Sequence, residues 1–248
     1  MDQSYAEKYR ELYRRHWWWR ARESAILREI DQLGVRADGS HRILDVGCGD
    51  GLLFDALESF GFVEGVESDE ATLATESKWR QRIHRQPFDE SFNPESGYDL
   101  ILMLDILEHL PEPEKALAHA KSLLNPGGKI LMTVPAFNSL WTTHDDLNHH
   151  YVRYTRPTFH QLAQRSGIEI DRARYLFHWT CPVKLAIRIK EKVLGAKAKS
   201  PEVPNSLVNS ICLCLTRLEQ WTISRIGMPF GSSLLAIGSN PSQNSMRS

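Results

Sequence analysis

From Arg42 to Phe177 the chain alternates short apolar runs with amphipathic stretches. Ile43-Leu44-Asp45-Val46 is the first run and predicts a strand that stops at Gly47. Residues 61–67 predict a second strand, ending on the acid Glu67. Tyr98-Asp99-Leu100-Ile101-Leu102-Met103-Leu104-Asp105 is apolar almost throughout, the pattern of a parallel strand buried on both faces. A helix is expected from Pro113, because proline suits a first helical turn. The turn Asn125-Pro126-Gly127-Gly128 then leads into a strand over residues 129–135. Residues 167–177 and 231–238 predict the sixth and seventh strands. Strands separated by helices imply an α/β chain with a mainly parallel sheet.

The flanking segments follow a different period. Tyr5, Tyr9, Leu12, Tyr13, His16 and Trp17 recur at helical spacing, and the pattern resumes from Ser24 to Leu33. Three consecutive tryptophans, Trp17, Trp18 and Trp19, cannot share one helix side. They either anchor this segment to the body or help it lie over a ligand. Residues 181–230 predict two further helices. The first, over 183–194, is amphipathic and basic: Lys184, Arg188, Lys190, Lys192, Lys197 and Lys199 are opposed only by Glu191 across residues 183–200. Leu207, Ile211, Leu215, Leu218 and Ile226 mark the second. This insertion reads as a lid over an acceptor site, as a basic patch for anionic lipid, or as a solvated basic face.

The loop Gly47-Cys48-Gly49-Asp50-Gly51 carries the first chemical signal. Glycine at every second position removes side chains where the backbone must approach a ligand. Residues 52–57 read as a helix whose first N–H groups point at that ligand. The dinucleotide fingerprint is G-x-G-x-x-G. Here the third glycine falls one position early, Leu52 takes its place, and Asp45 precedes the first glycine by two. The stretch resembles motif I of class I S-adenosylmethionine (SAM)-dependent methyltransferases, D-x-G-C-G-x-G. The phrases "YDLILMLDILEHL" and "LLNPGGKILMTVP" resemble the later motifs of that family, so the resemblance runs from about Arg42 to Phe177. It implies a Rossmann-like fold, a seven-stranded mostly parallel sheet with helices on both faces. It also implies a methyl-transferring enzyme with SAM as cofactor and S-adenosylhomocysteine as product. The expected organisation is an N-terminal helical segment (1–40) covering the cofactor, a SAM-binding core (41–180), the helical insertion (181–230), and a final strand with a flexible tail (231–248).

Under this resemblance Asp45, Gly47, Cys48, Gly49 and Gly51 cradle the methionyl part. Asp45 receives its ammonium, and Arg20 or Arg22 its carboxylate, which a forked guanidinium suits. Glu67 lies about 20 residues beyond the first glycine, the spacing of a ribose-binding acid. Ser68 is expected near the adenine, with Phe88 over the ring and Asp89 at the amine. Asp105 and Ile106 line the sulfonium. On the acceptor side the segment from Trp141 to Thr155 resembles an "HD…H-x-R-R-Y" signature of bacterial methyltransferases linked to envelope or glycoconjugate pathways, with Val152 in place of the first arginine. His109, His144 and His150 are the candidate bases, since an imidazole near neutral pKa suits proton removal from a hydroxyl. Trp141, Arg153 and Tyr154 are expected to contact the acceptor. His144, Asp145, His149 and His150 offer metal-ligating groups, but the adjacent His149 and His150 are poorly placed for one site on a helix, and no metal is expected.

Composition narrows this further. With 248 residues, 25% of them charged and a formal net charge of −1, no basic field for nucleic acid exists. Cys48, Cys181, Cys212 and Cys214 form no C-x-x-C pair, which suits reduced thiols in the cytoplasm. Neither a signal peptide nor a membrane-spanning run is predicted. The expected acceptor is a small molecule or a lipid- or glycan-linked one, with peripheral contact at the inner membrane surface through residues 183–226. A SAM-binding regulatory protein without catalysis is the alternative, and an NAD-dependent oxidoreductase is disfavoured by Gly51.

Overall fold

The computed structural model describes residues 3–35, 39–70, 77–195, 201–223 and 227–240, with side chains from residue 8. The tail 241–248, Ile226, Lys197 and Lys199 lie outside the described residues, as does the Tyr5 side chain. The chain divides into two compact units, residues 1–92 with 201–221, and residues 93–200 with 222–248.

In the first unit α1 (Gln3–Arg15) and α2 (Trp17–Gln32) meet at His16. His16 caps α2: its Nδ1 accepts from the Trp18 N–H at 3.1 Å, which requires an unprotonated nitrogen. Burial agrees, lowering the imidazole pKa to about 4. The tryptophans pack around this corner, with Trp19 edge-on to Tyr9, His16 and Trp18. The aromatic cluster therefore does anchor the corner. From α8 (Ser206–Thr222), Asn209 accepts from Trp17 N and donates to Arg15 O, both at 2.8 Å, tying the two helix ends. Three parallel strands follow, β1 (His41–Val46), β2 (Gly61–Val66) and β3 (Ile83–His84), with β2 between the others. The helix expected over 52–57 is shorter than predicted: residues 51–53 turn first, leaving α3 as Phe54–Leu57.

The second unit holds β4 (Tyr98–Leu104), α4 (Pro113–Ser122), β5 (Leu124–Pro135), α5 (Thr143–Leu147), α6 (Arg156–Arg165), β6 (Glu169–Leu176), α7 (Thr180–Leu194) and β7 (Ser233–Ser239). β5 runs parallel to β4 and antiparallel to β7, and β7 is antiparallel to β6. Leu100, Ile101, Leu102 and Met103 of β4 and Ile130, Leu131 and Met132 of β5 are fully buried, as a strand covered on both faces requires. β6 is an edge strand, and its exposed Glu169, Asp171 and Arg172 discourage pairing with another chain. The strand order is β3-β2-β1-β4-β5-β7-β6, a seven-stranded, mostly parallel sheet with helices around it.

Candidate active site

The glycine loop belongs to the first unit. Gly47, Gly49 and Gly51 all have positive φ (67°, 54° and 72°), a conformation that other residues adopt only at a cost. The Gly47 N–H donates to Val66 O at 2.8 Å and Gly51 N–H to Cys48 O at 3.0 Å, so the loop folds back over the end of β2. Gly65 makes that close approach possible, because a Cβ there would collide with the Cys48 thiol and the Phe54 ring. Cys48 is buried, and burial raises its thiol pKa, so it packs and does not attack.

Glu67 fastens this loop. One carboxylate oxygen accepts from Gly49 N at 3.0 Å and the other from Asp69 N at 2.8 Å. Asp45 is buried at the end of β1, and burial pushes its pKa up to about 7; Arg22 pulls it down and Glu67 adds to the rise. Arg22 is itself buried, with its guanidinium 5.6 Å from the Trp18 ring centroid. Arg20 is exposed and lines a cavity of about 790 Å³ with Arg10, Tyr13, Asp50, Gly51 and Trp79. This cavity shares Asp50 and Gly51 with the loop but includes neither Asp45 nor Glu67. Arg22, not Arg20, has the electrostatic link to Asp45. Ser68 is exposed. Phe88 sits 5.9 Å from the buried Phe92, and Asp89 Oδ1 accepts from the backbone and hydroxyl of Ser91. Asp89 is thus built into a local turn.

In the second unit a carboxylate absent from the expected acid–base set organises the acceptor-side segment. Asp145 is fully buried and accepts from Arg153 Nε at 2.8 Å, from the other fork of that guanidinium at 2.9 Å, and from Thr142 N at 2.9 Å. His150 Nδ1 lies 2.9 Å from Asp145 Oδ1. Burial alone raises an acid's pKa, yet the His150 and Arg153 hydrogen bonds win and hold Asp145 well below the carboxylate range. The ionised acid can only accept, so His150 Nδ1 is the donor in this hydrogen bond and Nε2 is the ring nitrogen turned away from Asp145. Thr142-x-x-Asp145 is a capping box at the start of α5, a signal present in the sequence.

The His109 ring stands edge-on to His150 with centroids 4.6 Å apart. Desolvation and His150 lower the His109 pKa; desolvation and Lys184 lower that of His144. The donor atoms of Glu108, His109 and His150 all lie within 4.8 Å of one another, a different set from the one weighed in the sequence. Arg153 and Tyr154, expected at the acceptor, are interior residues instead. Arg153 is 3% exposed, and its third contact is Ala136 O at 3.0 Å; the Tyr154 hydroxyl donates to Leu107 O at 3.4 Å. Both hold the segment in shape. Trp141 is half-buried, with its Nε1 donating to Asp146 at 2.9 Å.

Backbone strain marks one edge of this unit. Asp105, Phe137 and Phe177 have φ of 57°, 58° and 57°, and they follow the carboxyl ends of β4, β5 and β6. Non-glycine residues held in that region gather at functional sites, and ligands bind open α/β sheets at the carboxyl ends of strands. No sequence signal foretold this strain. Asp105 and Ile106 follow directly on the tip of β4.

The fold and the glycine loop define a class I methyltransferase. A methyltransferase-domain family model matches residues 18–173, and the chain belongs to that family: it is a SAM-dependent methyltransferase. Solved SAM-dependent methyltransferases from Archaeoglobus fulgidus (17% identity, TM-score 0.53, 87% of this chain and 93% of that one) and Clostridium acetobutylicum (12%, 0.56, 95% and 97%) share its fold. Among curated relatives, the chain is similar to the ubiquinone biosynthesis O-methyltransferases of Coxiella burnetii (27% identity over 164 residues, 58% of this chain and 69% of the relative) and Aromatoleum aromaticum (27% over 195 residues, 68% and 83%).

Proposed function

We propose that this enzyme moves the methyl group of SAM to a hydroxyl oxygen of a small or lipid-linked acceptor, with His150 as the general base. The observation that carries the reading is the His150–Asp145 hydrogen bond of 2.9 Å, with Asp145 clamped by Arg153. Relatives named O-methyltransferases of ubiquinone biosynthesis support oxygen as the methylated atom and make ubiquinone precursors the first acceptors to test. The sulfonium is an activated leaving group, so the protein must align the reactants, exclude water and accept one proton. The acceptor O–H proton passes to His150 Nε2 as the new O–CH3 bond forms and the S–CH3 bond breaks, releasing neutral S-adenosylhomocysteine. Asp145 stabilises the resulting imidazolium.

The donor is assigned to the first unit: Gly47, Cys48, Gly49 and Gly51 present backbone groups, Glu67 takes the ribose hydroxyls, Arg22 takes the carboxylate, and Asp45 takes the ammonium. Ser68 and Phe88 flank the adenine. The Asp45 assignment fixes a pH dependence. A carboxyl held at about 7 is mostly neutral at pH 6 and mostly ionised at pH 7.5, and only the ionised form pairs with an ammonium. SAM should therefore bind about tenfold tighter at pH 7.5 than at pH 6. Asp45→Asn should flatten that slope in calorimetric titrations. The sign for the free protein is opposite: the folded pKa is raised, so this group subtracts stability as pH climbs from the unfolded value towards 7.

Methyl-labelled SAM incubated with ubiquinone-pathway phenols and other hydroxyl acceptors should yield labelled ethers. Label passing to amines and to no hydroxyl would overturn the oxygen assignment. The Glu108–His109–His150 cluster favours one second reading, in which a divalent cation lowers the acceptor's pKa. Chelation by EDTA separates the two: the base mechanism predicts an unchanged rate, and a loss restored by added Mg²⁺ or Zn²⁺ selects the cation.

A further inference from the structure

α7 is amphipathic in the wrong sense for a helix lying on a protein. Thr180, Lys184, Arg188 and Glu191 recur at positions that share one side of a helix, and this polar side faces inward. Thr180 is buried and donates to Phe177 O at 2.6 Å. Lys184 is enclosed enough that desolvation, followed by Arg153, lowers its pKa to about 8. Arg188 donates to Asn138 O at 2.6 Å, and Glu191 accepts from the Thr143 N–H and hydroxyl, both at 2.9 Å. Leu185, Ile189 and Val193 lie on the opposite side and Val183, Ile187 and Leu194 form a row along one flank, all exposed, Ile189 by 55% and Val193 by 74%. Two of the helix's cations turn into the unit, and aliphatic side chains take the water-facing side.

α8, in the other unit, repeats the plan. Asn209, Thr216 and Gln220 face inward, with Asn209 binding the α1–α2 corner and Gln220 donating to Ala21 O at 3.1 Å. Leu207, Ile211, Leu215, Leu218 and Trp221 are exposed. Soluble helices orient the other way, with the apolar stripe towards the core. Polar tethers hold each of these helices, which leaves the apolar side available for an outside medium.

We infer that the outward side of α7 lies in the headgroup region of an anionic bilayer. Three observations choose lipid over a protein partner. The side is purely aliphatic, lacking the Trp, Tyr and Arg anchors that dominate protein interfaces. The exposed Lys190 and Lys192 stand beside it, and Lys197 and Lys199 follow in the sequence, a charge set complementary to anionic headgroups. Finally, among the described residues no helix is long and apolar enough to cross a membrane, so α7 rests on the surface and does not insert across it. The inference concerns where the enzyme sits, and its test is independent of methyl transfer.

The full chain, loaded with SAM, should co-sediment with vesicles of phosphatidylcholine and phosphatidylglycerol in equal parts. Vesicles of phosphatidylcholine alone should capture at least tenfold less, and raised salt should release the bound protein. Ile189→Glu with Val193→Glu should lower capture at least tenfold, with circular dichroism and SAM affinity unchanged. Lys190→Glu with Lys192→Glu should abolish the preference for phosphatidylglycerol. Equal capture by both vesicle types, or full capture of the Ile189/Val193 variant, would overturn the assignment. So would a dimer in sedimentation velocity that this variant converts to monomer, since a second copy would then be the occupant. Loss of capture only in Leu215→Glu with Leu218→Glu would move the contact to α8 and also overturn it.

Discussion

Replacing His150 by alanine should lower kcat by about 10²- to 10⁴-fold, the range a positioned general base supplies, while leaving SAM affinity at the wild-type value. His150 is the imidazole whose Nδ1 is held by the buried Asp145, and that contact orients the ring and leaves Nε2 as the nitrogen for proton transfer. An alanine removes the proton acceptor but neither the Asp145–Arg153 pair nor the glycine loop, so the loss should fall on kcat more than on KM. Added imidazole should restore part of the rate. His109→Ala is the control: its ring touches His150 but has no carboxylate to orient it among the hydrogen bonds described. It should cost less. A His150→Ala enzyme with wild-type turnover would remove the base from this mechanism and leave positioning alone to account for the rate.

The largest stability effect is expected at Arg153. Arg153→Met would leave the Asp145 carboxylate buried with two of its strongest donors gone, and breaking a buried pair from one side costs about 3–5 kcal/mol. In a chain of this size that corresponds to a fall in Tm of roughly 10 °C. The pH dependence has a definite sign. Asp145 is held below the usual carboxylate range, so its contribution is complete above about pH 4, the unfolded value, and is lost as pH drops towards the folded one. The variant should show a smaller acid-side loss, because Arg153 no longer helps to lower the Asp145 pKa while His150 and Thr142 still do. Calorimetric melts of both proteins across acidic pH read the difference directly. Equal melting curves would mean that Arg153 is dispensable and that Thr142 and His150 suffice to hold the acid.

The parts most legible in the sequence were those set by backbone geometry and by periodicity. Glycines at alternate positions need positive φ, and Gly47, Gly49 and Gly51 have it. An apolar run such as residues 98–104 has no alternative to a buried strand, and β4 is one. The acceptor segment was harder because identity alone does not tell which polar residues face a ligand and which face each other. Arg153 looks like a substrate clamp until its guanidinium is seen to serve Asp145. Asp145 looks like a ligand or solvent group until its burial is known. In α7 helical spacing locates two sides without saying which one faces the core, so the amphipathic pattern is legible in the sequence and its direction is not.

One carboxylate, Asp145, both steadies the turn that carries it and orients the imidazole beside it. A substitution at Asp145 would therefore disturb the fold of that turn and the orientation of His150 together. The helix following β6 is held differently, tied to residues 138–143 through Arg188 and Glu191. Its attachment runs through polar side chains, so its outward residues can change without loosening its hold on the unit.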